Sequence, residues 1–260
     1  MTDAPQYLPA SPMPKVKALT FEQLEKAVSR GIADFVAKPM FGLVIGGTCA
    51  FFGIAIVACI RWLNIPWMIY PFAIGFPLIG PFLAVGLYEV SRRLQAGEEV
   101  TWGAVISRMW VQRGRELSWM AFVVLFVIWV WVYQVRLLMA LFLGMKSFST
   151  IDAFINVLMT TTEGWLFLGI GHLVGAVLAI IMFSITVISI PLLMEKELDI
   201  VTAMITSVKV VLASPVIMVG WGIAVTLLVI MASLPLFLGL VIVLPVLGHT
   251  TWHIYKKTVE

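Results

Sequence analysis

Six stretches of this chain stay apolar for about as long as a helix needs to cross a bilayer, ~20 residues for ~30 Å of hydrocarbon. They are 41–60, 66–90, 118–143, 164–190, 215–232 and 235–252. Composition agrees. Of the 260 residues 61% are apolar and 12% charged, against about 45–50% and about 25% in a soluble domain. No soluble fold of this length hides that much apolar surface, so the excess must face lipid. A soluble enzyme, a secreted disulfide module, a disordered chain and a nucleic-acid binder are all excluded. The expected fold is an all-α membrane protein of six transmembrane helices, with the lipid bilayer as its first partner.

Orientation follows from the cations. With the N-terminus inside, the inner segments hold Lys15, Lys17, Lys26, Arg30, Lys38, Arg92, Arg93, Arg108, Arg113, Arg115, Lys196, Lys209, Lys256 and Lys257. The outer segments hold only Arg61, Arg136 and Lys146. Fourteen against three places both termini in the cytoplasm. Residues 1–18 contain Pro5, Pro9, Pro12 and Pro14 and no apolar core, which reads as a flexible cytoplasmic tail before a single membrane domain, 19–260. Cys49 and Cys59 fall in one run, about 15 Å apart on a helix, too far to bridge; they read as packing residues.

The inner segments carry helical stripes. Phe21, Leu24, Val28, Ile32 and Phe35 form one, and Thr20 and Gln23 stand at capping-box spacing before it. Trp102, Val105, Ile106, Met109 and Trp110 form a second, and Ile200, Met204, Val208 and Val211 a weaker third. Each leads into a span, as expected of amphipathic helices in the membrane surface. The domain therefore parses as three units, 19–100, 101–199 and 200–260, each an amphipathic helix followed by a two-helix hairpin. The returning spans carry Pro81, Pro191 and Pro245 near their inner ends. An outer segment with Ile151, Phe154, Ile155, Leu158 and Met159 on one face is expected to be a surface helix.

The stretch Phe76-Pro-Leu-Ile-Gly-Pro-Phe-Leu-Ala-Val-Gly-Leu-Tyr-Glu-Val-Ser-Arg-Arg-Leu-Gln-Ala-Gly-Glu98, with Asp34-Phe35 and Pro39-Met-Phe-Gly-Leu43 before it, resembles a proteobacterial family of integral membrane proteins. That family is catalogued as a domain of unknown function, and its members are sometimes labelled cytochrome c oxidase subunit I. The resemblance covers about 20–260. It implies a bacterial inner membrane and six spans, and it brings no substrate, cofactor or catalytic residue.

Three constellations carry candidate chemistry. His249 and His253 share a helix face, while His172 lies near the middle of the fourth span. Their depths do not suit two ligands on one iron, and no carboxylate or thiolate accompanies them as in a metal site. The expectation is no cofactor and no metal, with His172 bonded between helices and the other two serving interfacial polarity. The second span contains Pro77, Gly80 and Pro81 among further Pro and Gly, which free backbone carbonyls; a broken helix lining a ligand path and a kink shaped by packing are both open. Small-residue faces for such packing are Gly42 with Gly46 and Gly171 with Gly175. Finally, counting from each repeat proline aligns Glu89, Asp199 and His253, and likewise Val85, Glu195 and His249. With Arg92 beside Glu89, these make either an inner polar ring or ordinary solvated interfacial charges.

No catalytic residue is expected. A membrane core poor in ionisable groups favours a non-catalytic accessory or scaffolding subunit of a larger membrane complex. The alternative is a transporter or channel for a small or lipid-like solute.

Overall fold

The computed structural model describes residues 13–61, 69–112, 116–144 and 151–260. Helix α1 is Phe21–Ala37 and α2 is Pro39–Arg61. The capping box forms: Thr20 Oγ1 accepts from Gln23 N at 3.2 Å, and Gln23 Oε1 accepts from Thr20 N at 3.0 Å. The two helices part at Lys38, which sits at φ −137°, ψ 60°, because the proline ring of Pro39 drives its predecessor out of the helical region. The same break separates α9, Ile200–Ala213, from α10, Pro215–Ser233, at Ser214 with φ −146°, ψ 63°.

Helix α3 is Ile69–Ala96, α4 is Trp102–Gln112 and α5 is Leu117–Leu143. Gly97 (φ 69°) and Gly144 (φ 65°) follow α3 and α5 in the left-handed conformation that glycine adopts without penalty. The expected outer surface helix is α6, Ile151–Thr160; α7 is Thr162–Thr186, and Thr161 caps it by accepting from Gly164 N at 3.0 Å. Helix α8, Ser189–Glu195, follows a two-residue break whose Ile188 N–H donates to Ser207 Oγ at 3.1 Å.

Helix α11 is Leu240–Thr258, five residues later than the expected start at 235. The turn before it places two non-glycine residues, Leu236 (φ 51°) and Phe237 (φ 63°), in the left-handed region, at a cost of about 1–2 kcal/mol each. The ring of Phe237 occupies the space that a side chain at Gly53 would fill, 2.4 Å from an ideal Cβ there, and Phe237 N donates to Ser233 O at 3.0 Å. Packing of an aromatic ring into a glycine notch offsets the strained turn.

Among the described residues four segments are long and apolar enough to cross a membrane: Pro39–Cys59, Leu117–Leu143, Thr162–Glu195 and Pro215–Ser233. The bundle is tight at one end and open at the other. Buried Val85, Leu117, Met120, Ile188, Met194, Met218, Trp252 and Ile254 form one core. They all lie at the end that gathers α1, α4, α8, α9 and the C-terminus. Between Ala121 and Leu138 α5 buries no residue, and 6% of its most apolar window is buried against 39% for α2.

Helix α1 meets α11 through small residues. Ala27 and Gly31 are buried, and a Cβ on Gly31 would lie 2.3 Å from Thr250 Oγ1. Its apolar stripe is divided: Leu24 and Val28 pack on the core, while Phe21 is 73% and Ile32 48% exposed, as for a helix lying on lipid. Of the segment read as a flexible tail, residues 1–12 lie outside the described residues. Residues 15–17 pair with the other chain end, through the antiparallel bridge Val16–Val259 and Lys17 N donating to Thr258 O at 2.8 Å.

Candidate functional site

The residues singled out by the sequence lie in two layers, a belt of paired charges at the tight end and an apolar cavity next to it. Glu89 is the centre of the belt and is 2% exposed. Helical spacing brings Arg92 and Arg93 to it from three and four residues on. Arg92 Nε donates to Oε2 at 2.9 Å and Arg93 Nε to Oε1 at 2.7 Å. Arg108, carried in by α4, brings Nε to 3.8 Å of Oε2. Gly97 turns the chain back, so Arg92 also reaches Glu98 Oε2 at 2.8 Å and holds that carboxyl below its ordinary range. Glu89 is thus a buried charge-assisted hub rather than a solvated interfacial carboxylate.

Helix α11 ties the belt to the rest. His249, with no exposed surface, shares a hydrogen bond with Ser91 of α3, its Nδ1 lying 2.8 Å from Ser91 Oγ. His253 Nε2 lies 2.7 Å from Asp34 Oδ2 of α1. Trp252 Nε1 donates to Gln95 Oε1 at 3.2 Å. Glu195, at the end of α8, accepts from the Tyr255 hydroxyl and from Lys256 Nζ. Gln112 Nε2 donates to the terminal carbonyl of Met194 at 3.1 Å, joined there by Arg108 Nη2, so two side chains serve a helix-end acceptor that has no amide partner.

Glu89, Glu195, His249 and His253 therefore share one layer, but each finds a different partner. They form a belt of separate pairs. Asp199 stands apart as the exposed N-cap of α9, accepting from Thr202 N at 2.9 Å; that bond and the Thr202 hydroxyl hold its carboxyl low. His172 corrects an expectation: among the described residues it bonds no second helix. Its Nδ1 lies 2.6 Å from Leu168 O one turn back, and the ring is exposed on α7. Among the described residues no group of three His, Cys, Asp or Glu side chains is placed to hold a metal ion.

Helix α3 runs unbroken through Pro77 and Pro81. The missing N–H groups leave the carbonyls of Ala73 and Pro77 without their usual donors. Pro81 is buried, while Gly80 borders an open cavity of about 300 Å³ lined by α2, α3, α7, α10 and α11. A Cβ on Gly80 would meet nothing within 4 Å. Of the two small-residue faces, Gly42 and Gly46 pack closely on α11, whereas a Cβ on Gly171 or Gly175 would have its nearest neighbour at 3.9 Å.

Sequence reasoning missed Asp34, Ser91 and Tyr255. Asp34 left one trace, its helical spacing from Gly31 and Ala27 on the face that packs against α11. The others left none, because each gains its role from a helix distant in sequence.

Residues 68–195 match the model of a family described as Predicted integral membrane protein (DUF2189), whose function is unknown. The match includes α3, the arginine belt, α5, α7 and α8. No curated protein and no solved structure matches the chain.

Proposed function

We propose that the chain is a six-span protein of the bacterial inner membrane with both termini in the cytoplasm, built on three helix-plus-hairpin units, and that it serves as a non-catalytic accessory or scaffolding subunit of a membrane complex. In this reading α3 and α11 join the four spans defined by length and composition. The element order supports the units, since α1–α2–α3, α4–α5–α7 and α9–α10–α11 each run short, long, long. So do the near-equal dihedrals at the Lys38 and Ser214 breaks.

The observation that carries the scaffolding reading is a band of polar-edged side chains left bare halfway along the spans. Trp129 is 61% and Tyr133 54% exposed, about 18 and 24 Å along α5 from Leu117. His172 is exposed about 15 Å into α7. Trp and Tyr favour the interfaces, and an ionisable ring at mid-bilayer is costly unless another protein covers it. Partner helices against these bare faces of α5 and α7 supply both cover and acceptors. The paired belt fits the same role, because it clamps α1, α3, α8 and α11 together.

The alternative, a conduit for a small or lipid-like solute, draws on the cavity and on the freed carbonyls of α3. Gentle detergent extraction separates the two. The expected result is stoichiometric co-purification of a membrane partner that is lost in Trp129→Leu/His172→Leu, while the variant keeps its monomer stability. A protein that purifies alone and gives solute flux in liposomes would overturn the scaffolding role.

A further inference from the structure

The hairpin of α10 and α11 is shorter than its neighbours, and its turn is built of residues that suit lipid. From Val210 to Tyr255 the chain has no Asp, Glu, Lys or Arg. Helix α10 ends at Ser233 and α11 begins at Leu240, so the turn reads Leu-Pro-Leu-Phe-Leu-Gly, without the Asn, Asp or Ser that shape turns in water. Leu234, Leu236 and Leu238 are all exposed, Leu234 by 78%. Packing register fixes how far this turn reaches. Phe237 sits in the notch at Gly53 of α2, and α2 continues from Gly53 to Arg61, about 12 Å further. On the other side, Gly222 of α10 packs on the Phe183 ring of α7, 3.4 Å from an ideal Cβ. From that level α7 extends back to Thr162 over about 31 Å, whereas α10 reaches Ser233 in about 17 Å. Both neighbours therefore outrun the turn, by about 12 and about 15 Å along their axes. The charges they carry, Arg61 and Glu163, stand at those far ends.

Irregular backbone survives in hydrocarbon only where its polar groups are satisfied without water. This turn meets that demand from within. The amides of Leu234, Leu236, Phe237, Leu238 and Leu240 donate to carbonyls of Met231, Leu234, Ser233, Pro235 and Phe237, at 2.9–3.3 Å. Pro235 has no N–H to place, and Ser233 Oγ donates to Val229 O at 2.7 Å. We infer that the α10–α11 turn ends inside the hydrocarbon of the outer leaflet, about 12–15 Å beneath the level marked by Arg61 and Glu163, with phospholipid acyl chains as its partner. Bare leucines are at home there, whereas in water each would be an exposed apolar side chain with nothing gained. The inference rests on the proposed topology for which leaflet is the outer one, but not for the depth. A reporter fused after Leu236 removes α11 and leaves α10 to carry it outward, so it reads the side and not the depth.

Cysteine variants of the full-length protein, in a Cys49→Ala/Cys59→Ala background, test the depth. Leu236→Cys carrying a bimane label, in phosphatidylcholine–phosphatidylglycerol vesicles, should be quenched about threefold more by lipid nitroxides at mid-chain than by headgroup nitroxides. On intact spheroplasts it should resist a membrane-impermeant maleimide. Asn156→Cys, exposed on the surface helix α6, should show the reverse in both assays. In the otherwise unaltered chain, Leu236→Asp should cut the folded yield from membranes about tenfold or more, because a charge at that depth lies in hydrocarbon, while Asn156→Asp leaves it unchanged. Headgroup-weighted quenching with maleimide labelling as fast as at Asn156 would overturn the inference and leave the proposed topology intact. A label that neither nitroxide reaches would also overturn it, since protein and not lipid would then cover the turn. So would a Leu236→Asp chain that folds in normal yield. The topology fails by a separate sign, maleimide reaching Asn156 only after the spheroplasts are lysed; mid-chain quenching at Leu236 would then still place the turn in hydrocarbon, in the opposite leaflet.

Discussion

At the scale of single residues, burial separates ion pairs of the same kind. Glu89 and Glu98 share Arg92, yet Glu89 is 2% exposed and the Glu98 side chain 41%. Removing one partner from a buried pair leaves its charge stranded and costs about 3 kcal/mol or more, whereas an exposed pair is screened by water. Glu89→Gln should therefore lower stability by about 3 kcal/mol, measured as thermal unfolding in detergent. Glu98→Gln should cost far less. Equal losses would mean that the belt does not depend on the buried carboxylate. The depressed Glu98 carboxyl has its own signature: its contribution is fully present above the ordinary carboxylate pKa and disappears as pH falls through the lower folded value.

At the scale of helices, one close contact involves a proline in one helix and a glycine in another. Pro245 lies inside α11 and supplies no N–H, so the carbonyl of Val241 four residues back is free. Gly46 of α2 packs against that carbonyl; an added Cβ would lie 2.6 Å from Val241 O. Close approach of this kind lets a Cα–H face the oxygen, and one turn earlier a Cβ added to Gly42 would lie 3.0 Å from Pro245 Cβ. Gly46→Ala should thus destabilise the bundle by about 2–3 kcal/mol, because the obstacle is backbone and cannot rotate away. Its neighbour Gly47 has nothing within 4 Å, and Gly47→Ala should be neutral or stabilise by up to about 1 kcal/mol through helix propensity. Paired unfolding curves of the two variants check this, and similar midpoints would rule out a tight α2–α11 seam.

For the whole molecule, the asymmetry between a tight end and an open end follows from where cohesion is available. Inside a bilayer, helices gain little by hiding apolar surface from lipid. Where the tight end meets water, burial of Trp252, Met194 and Leu117 counts in full, and charged pairs can join helices. The stable part of the protein should accordingly be its tight end, which is the cytoplasmic one in the proposed topology. Reporter fusions after Glu197 and Lys257 are expected to read cytoplasmic, and fusions after Gly144 and Leu236 external. An external signal after Glu197 would eliminate both the six-span count and the three-unit parse.

Local chemistry set much of this in advance. The apolar runs dictate helices of the right length at 39–61, 117–143 and 215–233; Thr20 with Gln23 starts α1; Pro39 and Pro215 start α2 and α10. These signals act within one turn of helix or depend only on transfer from water to lipid, so they can be read from the sequence in order. The burial of α11 could not be read in this way. Its run from 235 looked like a lipid-facing span, but its inner half is covered by α1, α2 and α3 because Gly31, Gly42 and Gly46 let those helices come close. Nor could the pairing of Asp34 with His253, 219 residues away. Which polar group meets which depends on how helices pack, and that is decided by shape complementarity among residues scattered along the whole chain.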